Sequence, residues 1–457
     1  MGGYTLRFGI GLGAVIVLVG VGPTSSHAQG APAAAPVPAL GDTVHLGLAD
    51  AIRRALDENP GLQAVAQQAH AADRAAAAAF RQHFGDVQAV AWTSRYGDAQ
   101  LLRPMSQELM AGGLASLPFA QDQAHYGLTF ELPLFVGGKL VALSHVARLK
   151  ADEASALVEG SGWQIRANVT TMYAAAQALT AATAAYASEV ASLETTHARV
   201  ALMVQQGKRP DVDLLEITDA LEEARAQLAA ADADRTQMRA FLLALLDYPP
   251  DQPLALDPLP NDFPTLRADG VDWNTLVQHA TPVATAQLRV EQARSGKQAT
   301  RADFLPALSL RGNLLEHAGS GVAGTFQTWE MTAQVSIPVF SGGRTVAAYQ
   351  GAAAAERAAT LTLRQTQLQQ RAEISGALAH LHAAEIALDA AAKRVDAADE
   401  AARIQGVRYD NGAGTIEDLL RARTRASAAE AFLAKSKGDV LGAAARINAL
   451  VEREIVR

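Results

Sequence analysis

The sequence contains no cysteine. That excludes disulfides, thiolate metal sites and cysteine nucleophiles, and a lipid anchor attached to an N-terminal cysteine. Aromatic residues are scarce, at 5%, and they gather in residues 84–135 and 304–340. Long apolar runs are missing. The one clear stretch, Phe8 to Gly22, is shorter than the roughly 20 residues a membrane-spanning helix needs. It follows the single early charge Arg7 and precedes Ser26-His27-Ala28, so residues 1–28 are expected to be a secretory signal peptide. A Pro/Ala linker, 29–45, follows. Basic excess is also lacking: the net charge is −8, which argues against a nucleic-acid partner.

Proline is absent between Pro133 and Pro210 and again after Pro338. Proline breaks helix interiors, so these gaps leave room for very long helices. The Ala-rich stretches 139–206 and 344–411 read as helices of roughly 100 Å at 1.5 Å per residue. Gly207 and Gly412 end them. Return helices are expected over 211–246 and from Thr415 to about Glu452.

These features come in pairs. ELPLFVGGKLVAL starts at Glu131 and SIPVFSGGRTVAA at Ser336, 205 positions later. GKRPDVDLL at Gly207 and GAGTIEDLL at Gly412 keep that spacing, with Asp213 over Asp418. Such a repeat is too long for a solenoid unit and reads as an internal duplication. The first repeat is 46–246, the second 271–457, and a Pro/Asp-rich irregular connector, 247–270, joins them. Each repeat opens with a short helix. Asn59-Pro60 and Thr281-Pro282 then offer a capping residue before proline, a good helix start.

Between the shorter and longer helices lie paired strands, about 86–135 and about 306–340. Leu128, Phe130, Leu132 and Leu134 alternate with Thr129, Glu131 and Pro133. Trp329, Met331, Ala333, Val335, Ile337 and Val339 alternate with polar residues. In the weaker strand from Val87, the more apolar side reads as Val90, Trp92 and Tyr96. The first hairpin carries the longer loop, near 98–123. Period-two alternation gives a sheet with one apolar and one polar face. Four strands leave two edges that must be covered or closed, and two, three or four copies of the chain could close a barrel. Pro133 and Pro338 can end the ladder, because proline donates no hydrogen bond. Gly137-Gly138 and Gly342-Gly343 can take the φ values of a strand-to-helix turn.

Catalytic patterns are missing. No Gly-rich phosphate loop is present. His380 and His382 are two apart and point to different sides of a helix, as do Asp211 and Asp213. No cofactor, metal or enzymatic activity is expected.

The chain resembles the TolC-type outer-membrane efflux family over about 46–451. ADAIRRALDENPGL, the doubled P-[LV]-F-x-G-G-[KR] after a strand, and the helix breaks before Asp-Leu-Leu carry the resemblance. It implies a mainly α chain with a pair of transmembrane β-hairpins. Three copies would form a trimeric 12-stranded β-barrel on a long α-helical coiled-coil tunnel in the periplasm. It implies an outer-membrane exit channel of a tripartite efflux pump, partnered by a periplasmic adaptor, an inner-membrane transporter and outer-membrane lipid. The duct of a type I secretion system is the alternative. A soluble periplasmic adaptor and a decorated exported enzyme fit less well. The resemblance makes Pro133, Gly137, Gly138, Pro338, Gly342 and Gly343 the strand-to-helix junctions, with Lys139 and Arg344 just periplasmic. Gly207, Lys208, Gly412 and Ala413 become adaptor-contacting tips. Asp213, Asp418 and Tyr409 become the periplasmic gate, with an Asp213–Tyr409 hydrogen bond as its latch. Two departures stand out: Arg421 replaces an acidic residue, and Gly414 a latch arginine. The aspartates could instead serve only the first turns of their helices, where the dipole favours them.

Overall fold

The computed structural model describes residues 43–111, 117–259 and 271–456. The expected signal peptide, the linker up to Asp42 and connector residues 260–270 lie outside these. The described chain runs β1 (Val44–Leu46), α1 (Leu48–Glu58), α2 (Pro60–Arg81), β2 (Asp86–Leu101), α3 (Gln107–Ala111), β3 (Phe119–Val136), α4 (Lys139–Gln205) and α5 (Asp211–Leu245). It continues β4 (Leu254–Leu256), α6 (Trp273–His279), α7 (Thr281–Ala302), β5 (Ala307–Gly319), β6 (Phe326–Ser336), α8 (Arg344–Asp410) and α9 (Ile416–Val451). The order of major elements repeats, and so do their lengths. The helices α2 and α7 have 22 residues each, and α4 and α8 have 67 each.

Local chemistry sets the boundaries. Asn59 caps α2: its side chain accepts from the Leu62 amide, and Pro60 follows at the first helical position. The corresponding start of α7 is built differently. Ala280 is the N-cap and Thr281 already lies in the helix. The Glu452 carboxylate accepts from the Thr281 amide at 2.8 Å and from Thr281 Oγ1 at 2.9 Å. The cap comes from a residue 171 positions away in the chain, so local sequence could not reveal it. The connector read as irregular contains β4, which pairs in parallel with β1.

Packing makes α4 the central helix. It lies against α5, α9, α7 and α2, while α8 packs on α9 and α7. One buried cluster joins Val169, Tyr173 and Leu242 to Ala51 and Ala55 of α1. A second joins Val283, Leu381, Val440 and Ile447 to Ile455 and Val456. A third lies at the far ends of the long helices, around Leu193, Val200, Ile217, Tyr409 and Leu419. Among the described residues no helix is long and apolar enough to cross a membrane.

The larger sheet has the order β2-β3-β5-β6, antiparallel throughout. Residues directly opposite one another share a face. One face carries Val87, Phe130, Leu128, Leu314, Trp329 and Val335; Trp329 is 78% exposed and Val87 70%. The other carries Asp86, Glu131, Arg311 and Thr332 at one level, with Arg311 Nη2 donating to Glu131 Oε1 at 3.0 Å.

The register and the strand bounds correct four expectations. Val90 pairs with Gly127 and Trp92 with His125, which places both on the polar face; the apolar side of β2 is Val87, Ala89 and Ala91. Pro133 does not end the ladder. It sits at a bulge, after which Phe135 and Val136 still pair with Leu308 and Ala307. In the second hairpin β6 stops at Ser336, two residues before Pro338. Both strands of the first hairpin also run into its expected loop, leaving 102–118 between them. Among the described residues, β2 and β6 are edges with no further strand partner.

Candidate functional site

Both long helices end in the same turn. Gly207 and Gly412 have φ of 67° and 74°. The Gly207 and Lys208 amides donate to the Val204 and Met203 carbonyls; the Gly412 and Ala413 amides donate to those of Tyr409 and Arg408. This is the Schellman arrangement, in which a left-handed residue closes the last helical turn.

The return helices start with different chemistry. Pro210 precedes α5 and supplies no side-chain cap. Thr415 precedes α9, and its Oγ1 accepts from the Asp418 amide. The two aspartates then part company. Asp213 is 8% exposed, with Oδ2 3.8 Å from Arg209 Nη1. Asp418 is exposed, and its carboxylate makes no ion pair or hydrogen bond among the described residues.

Tyr409 is 2% exposed, and its hydroxyl has no hydrogen-bond partner among the described residues. The expected Asp213–Tyr409 bond is not made within the chain. Arg209 stands in its place: its guanidinium lies 4.5 Å from the Tyr409 ring centroid, and Nη2 donates to the Tyr409 carbonyl at 3.2 Å. Burial pushes the Tyr409 phenol above its ordinary pKa, against the opposing effect of Arg209. One arginine thus ties the first tip to the end of α8.

Further charges surround this point. Arg199 of α4 pairs with Asp410 of α8 at 2.7 Å. Arg423 Nη1 donates to Thr196 Oγ1 at 2.8 Å, and Thr424 Oγ1 donates to the buried Glu189 at 3.1 Å. Burial lowers the Arg423 pKa. Arg421 bonds Glu417 on its own helix. A Cβ at Gly414 would lie 3.2 Å from both Arg408 Cβ and the Tyr409 amide nitrogen, so an arginine there would press on the helix end. Arg209 and Asp213 are four apart, but Arg209 precedes the helix, so no helix-pair spacing marks them. Arg199, Asp410, Arg423 and Glu189 meet only through packing, and no local pattern marks them.

At the other end of the long helices, Gly137 and Gly138 have φ of 63° and 81°, and Gly342 and Gly343 have 59° and 80°. Gly138 and Gly343 are the N-caps of α4 and α8. Lys139 Nζ reaches Asp303 Oδ1 at 2.7 Å, fixing the start of α4 to the end of α7. Elsewhere His382 lies 3.8 Å from Glu385. Among the described residues no group of three or more His, Cys, Asp or Glu side chains is placed to hold a metal.

The family described as outer membrane efflux protein matches residues 51–247 and 274–451. Protein CyaE of Bordetella pertussis is 27% identical over 314 residues, covering 65% of this chain and 64% of its own length. The chain therefore spans just under two thirds of that relative. Among solved structures, the Campylobacter jejuni CmeC outer membrane channel superposes with a TM-score of 0.76 at 18% identity, covering 90% of this chain and 86% of that one. The outer membrane protein VceC of Vibrio cholerae gives 0.74 at 18% identity, covering 89% and 96%. These likenesses show a shared fold, and the family match covers both halves of the sequence: the chain belongs to the outer membrane efflux protein family.

Proposed function

We propose that this protein is the outer-membrane exit channel of a tripartite efflux pump, working as a homotrimer. One observation carries the proposal: an open four-stranded sheet, apolar on one face and polar on the other, joined through paired left-handed glycines to two 67-residue helices. An exposed apolar face with unpaired edges is unstable in water and satisfied in lipid once the sheet closes. Three chains supply twelve strands, with the apolar face toward lipid and the polar face toward the lumen.

The chain's own residues then have assigned work. The glycine pairs turn each strand into a tunnel helix at the membrane surface. Gly207, Lys208, Gly412 and Ala413 form the tips that meet a periplasmic adaptor, which docks the channel on an inner-membrane transporter. Asp418, exposed and unpaired, faces the narrow end of the tunnel, where three copies concentrate cations. Asp213 does different work: with Arg209 it holds the tip closed against Tyr409. The protein supplies passage, and energy comes from the inner-membrane partner.

Outer-membrane fractionation followed by planar-bilayer recording tests this reading. It expects the chain in the outer-membrane fraction and a cation-selective conductance that rises in Asp418→Ala. Recovery in the soluble periplasmic fraction would favour the adaptor reading. Unchanged conductance and selectivity in Asp418→Ala would remove Asp418 from the gate.

A further inference from the structure

One constellation lies outside the tips and junctions. Trp92, His125, His317 and Phe326 stand at a single level across β2, β3, β5 and β6, each opposite the next. They occupy the polar face at the end of the sheet farthest from the long helices. His125 Nδ1 and His317 Nδ1 are 2.7 Å apart, with ring centroids at 4.9 Å and planes at 76°. His317 Nε2 lies 2.7 Å from Thr328 Oγ1. Trp92 stacks on His125 at 5.0 Å and 30°. Both imidazoles are buried, at 8% and 6% exposure.

Two Nδ1 atoms at this separation share one proton. With His317 Nε2–H donating to Thr328, the His317 Nδ1 lone pair points at His125. That is how an outer hydrogen bond sets the tautomer of a metal-binding histidine. The shared proton is replaceable by a cation. Metal–nitrogen bonds of about 2.0–2.1 Å at a tetrahedral angle put two ligand nitrogens about 3.3 Å apart, so the rings need to separate by about 0.6 Å and to turn until both lone pairs meet at the metal, about 1.2 Å off the line joining the nitrogens. Remaining coordination positions would go to water from the polar face. Imidazole ligands favour Cu2+, Ni2+ and Zn2+ over Mg2+ and Ca2+, with Cu2+ the tightest. Two charges of opposite sign lie near His317: Glu316, and Arg103, which is stacked over Phe326 at 5.0 Å. The Glu316 carboxylate offsets the repulsion between Arg103 and a bound dication.

We propose that His125 and His317 form a two-histidine site for a divalent first-row transition metal, which clamps the first β-hairpin to the second. The placement of both ligands within one chain makes the site independent of the trimer. The shared-proton bond serves the same clamp when metal is absent, and protonation of both rings competes with metal binding.

Cu2+ titration of the full-length chain, purified in detergent at neutral pH, tests this. Eleven histidines are present in the sequence, so the readout must be site-specific. One tight Cu2+ per chain with a nitrogen hyperfine signature is expected. It should be lost in His125→Gln and in His317→Gln, and weakened severalfold in Thr328→Val. Because Cu2+ quenches a neighbouring indole, Trp92 fluorescence should fall saturably at one equivalent, and Trp92→Phe should remove that component while keeping the binding. Equal Cu2+ stoichiometry and affinity in the His125→Gln variant would overturn the site. Should that variant not fold, the absence of saturable Trp92 quenching in the wild type would do so alone.

Discussion

Replacing Arg209 by methionine keeps the aliphatic stem and removes the guanidinium, so it isolates the contact that closes the first tip. Three interactions disappear. The charged hydrogen bond to the Tyr409 carbonyl contributes about 1.5 kcal/mol, the low end for such bonds because the arginine is partly solvated. The stacking on the Tyr409 ring at 4.5 Å adds about 0.5–1 kcal/mol. The 3.8 Å ion pair with Asp213 adds at most about 1 kcal/mol. Together the local opening free energy should fall by about 2–3.5 kcal/mol, or roughly 30- to 300-fold in the opening equilibrium at about 1.4 kcal/mol per tenfold. Native-state hydrogen exchange reads this directly. Amides of 204–216 and 405–418 should lose protection by that factor, while those around Tyr173 and Ile447, in separate clusters, should not change. Asp418→Asn is the control. Its carboxylate is exposed and unpaired, so protection should move by under about 0.5 kcal/mol. Equal effects from Arg209→Met and Asp418→Asn, or none from the former, would refute the division of labour between the two tips.

Other substitutions probe other joints of the fold. Gly137→Ala should impair folding far more than Gly343→Ala, as read by the yield of heat-stable oligomer. Both positions have positive φ, costing about 1–2 kcal/mol in an L-residue, but only at Gly137 would the new Cβ lie 2.8 Å from a backbone oxygen, that of Ala302. Tyr173→Phe should lower thermal stability by about 1–3 kcal/mol, because the hydroxyl lies 2.9 Å and 2.8 Å from the Leu46 and Asp257 carbonyls, which would lose it. Burial raises the Glu452 pKa, opposed by its bonds from Thr281. A raised carboxylate pKa contributes stability below the ordinary glutamate value, and that contribution is lost as pH rises through the folded-state pKa. Denaturation midpoints against pH should therefore show a decline across that window that flattens in Glu452→Gln.

The long helices were legible because proline, the residue that would have interrupted them, is absent from both segments, and a glycine marks each end. Their bounds follow within a residue or two. The sheet was legible where apolar side chains are large and alternate, as over Leu128–Leu134 and Trp329–Val335, and not over residues 119–123, read as loop but paired in β3. It misled in Asp86–Leu101, where the apolar face is made of small Ala89 and Ala91 while Val90 and Trp92 lie among polar partners. There the partner strand, not the local pattern, decides the face. Pro133 shows the same limit, since a bulge absorbs it and pairing resumes. At the tips, Gly207 and Gly412 announced themselves, and the matching positions of Asp213 and Asp418 suggested matching roles. The burial of Asp213 comes with Arg209 and Tyr409, brought together from 200 residues apart, and the Asp418 carboxylate has no such partner among the described residues. The clamp of Thr281 by Glu452 was hidden for the same reason.

Work as an outer-membrane channel requires three open sheets to close into one barrel. The direct test is the native mass of the protein extracted from outer membranes in mild detergent. A mass of three chains, with each edge strand protected from exchange, is the predicted result. A monomer in every detergent, with Asp86–Leu101 and Phe326–Ser336 freely exchanging, would contradict it.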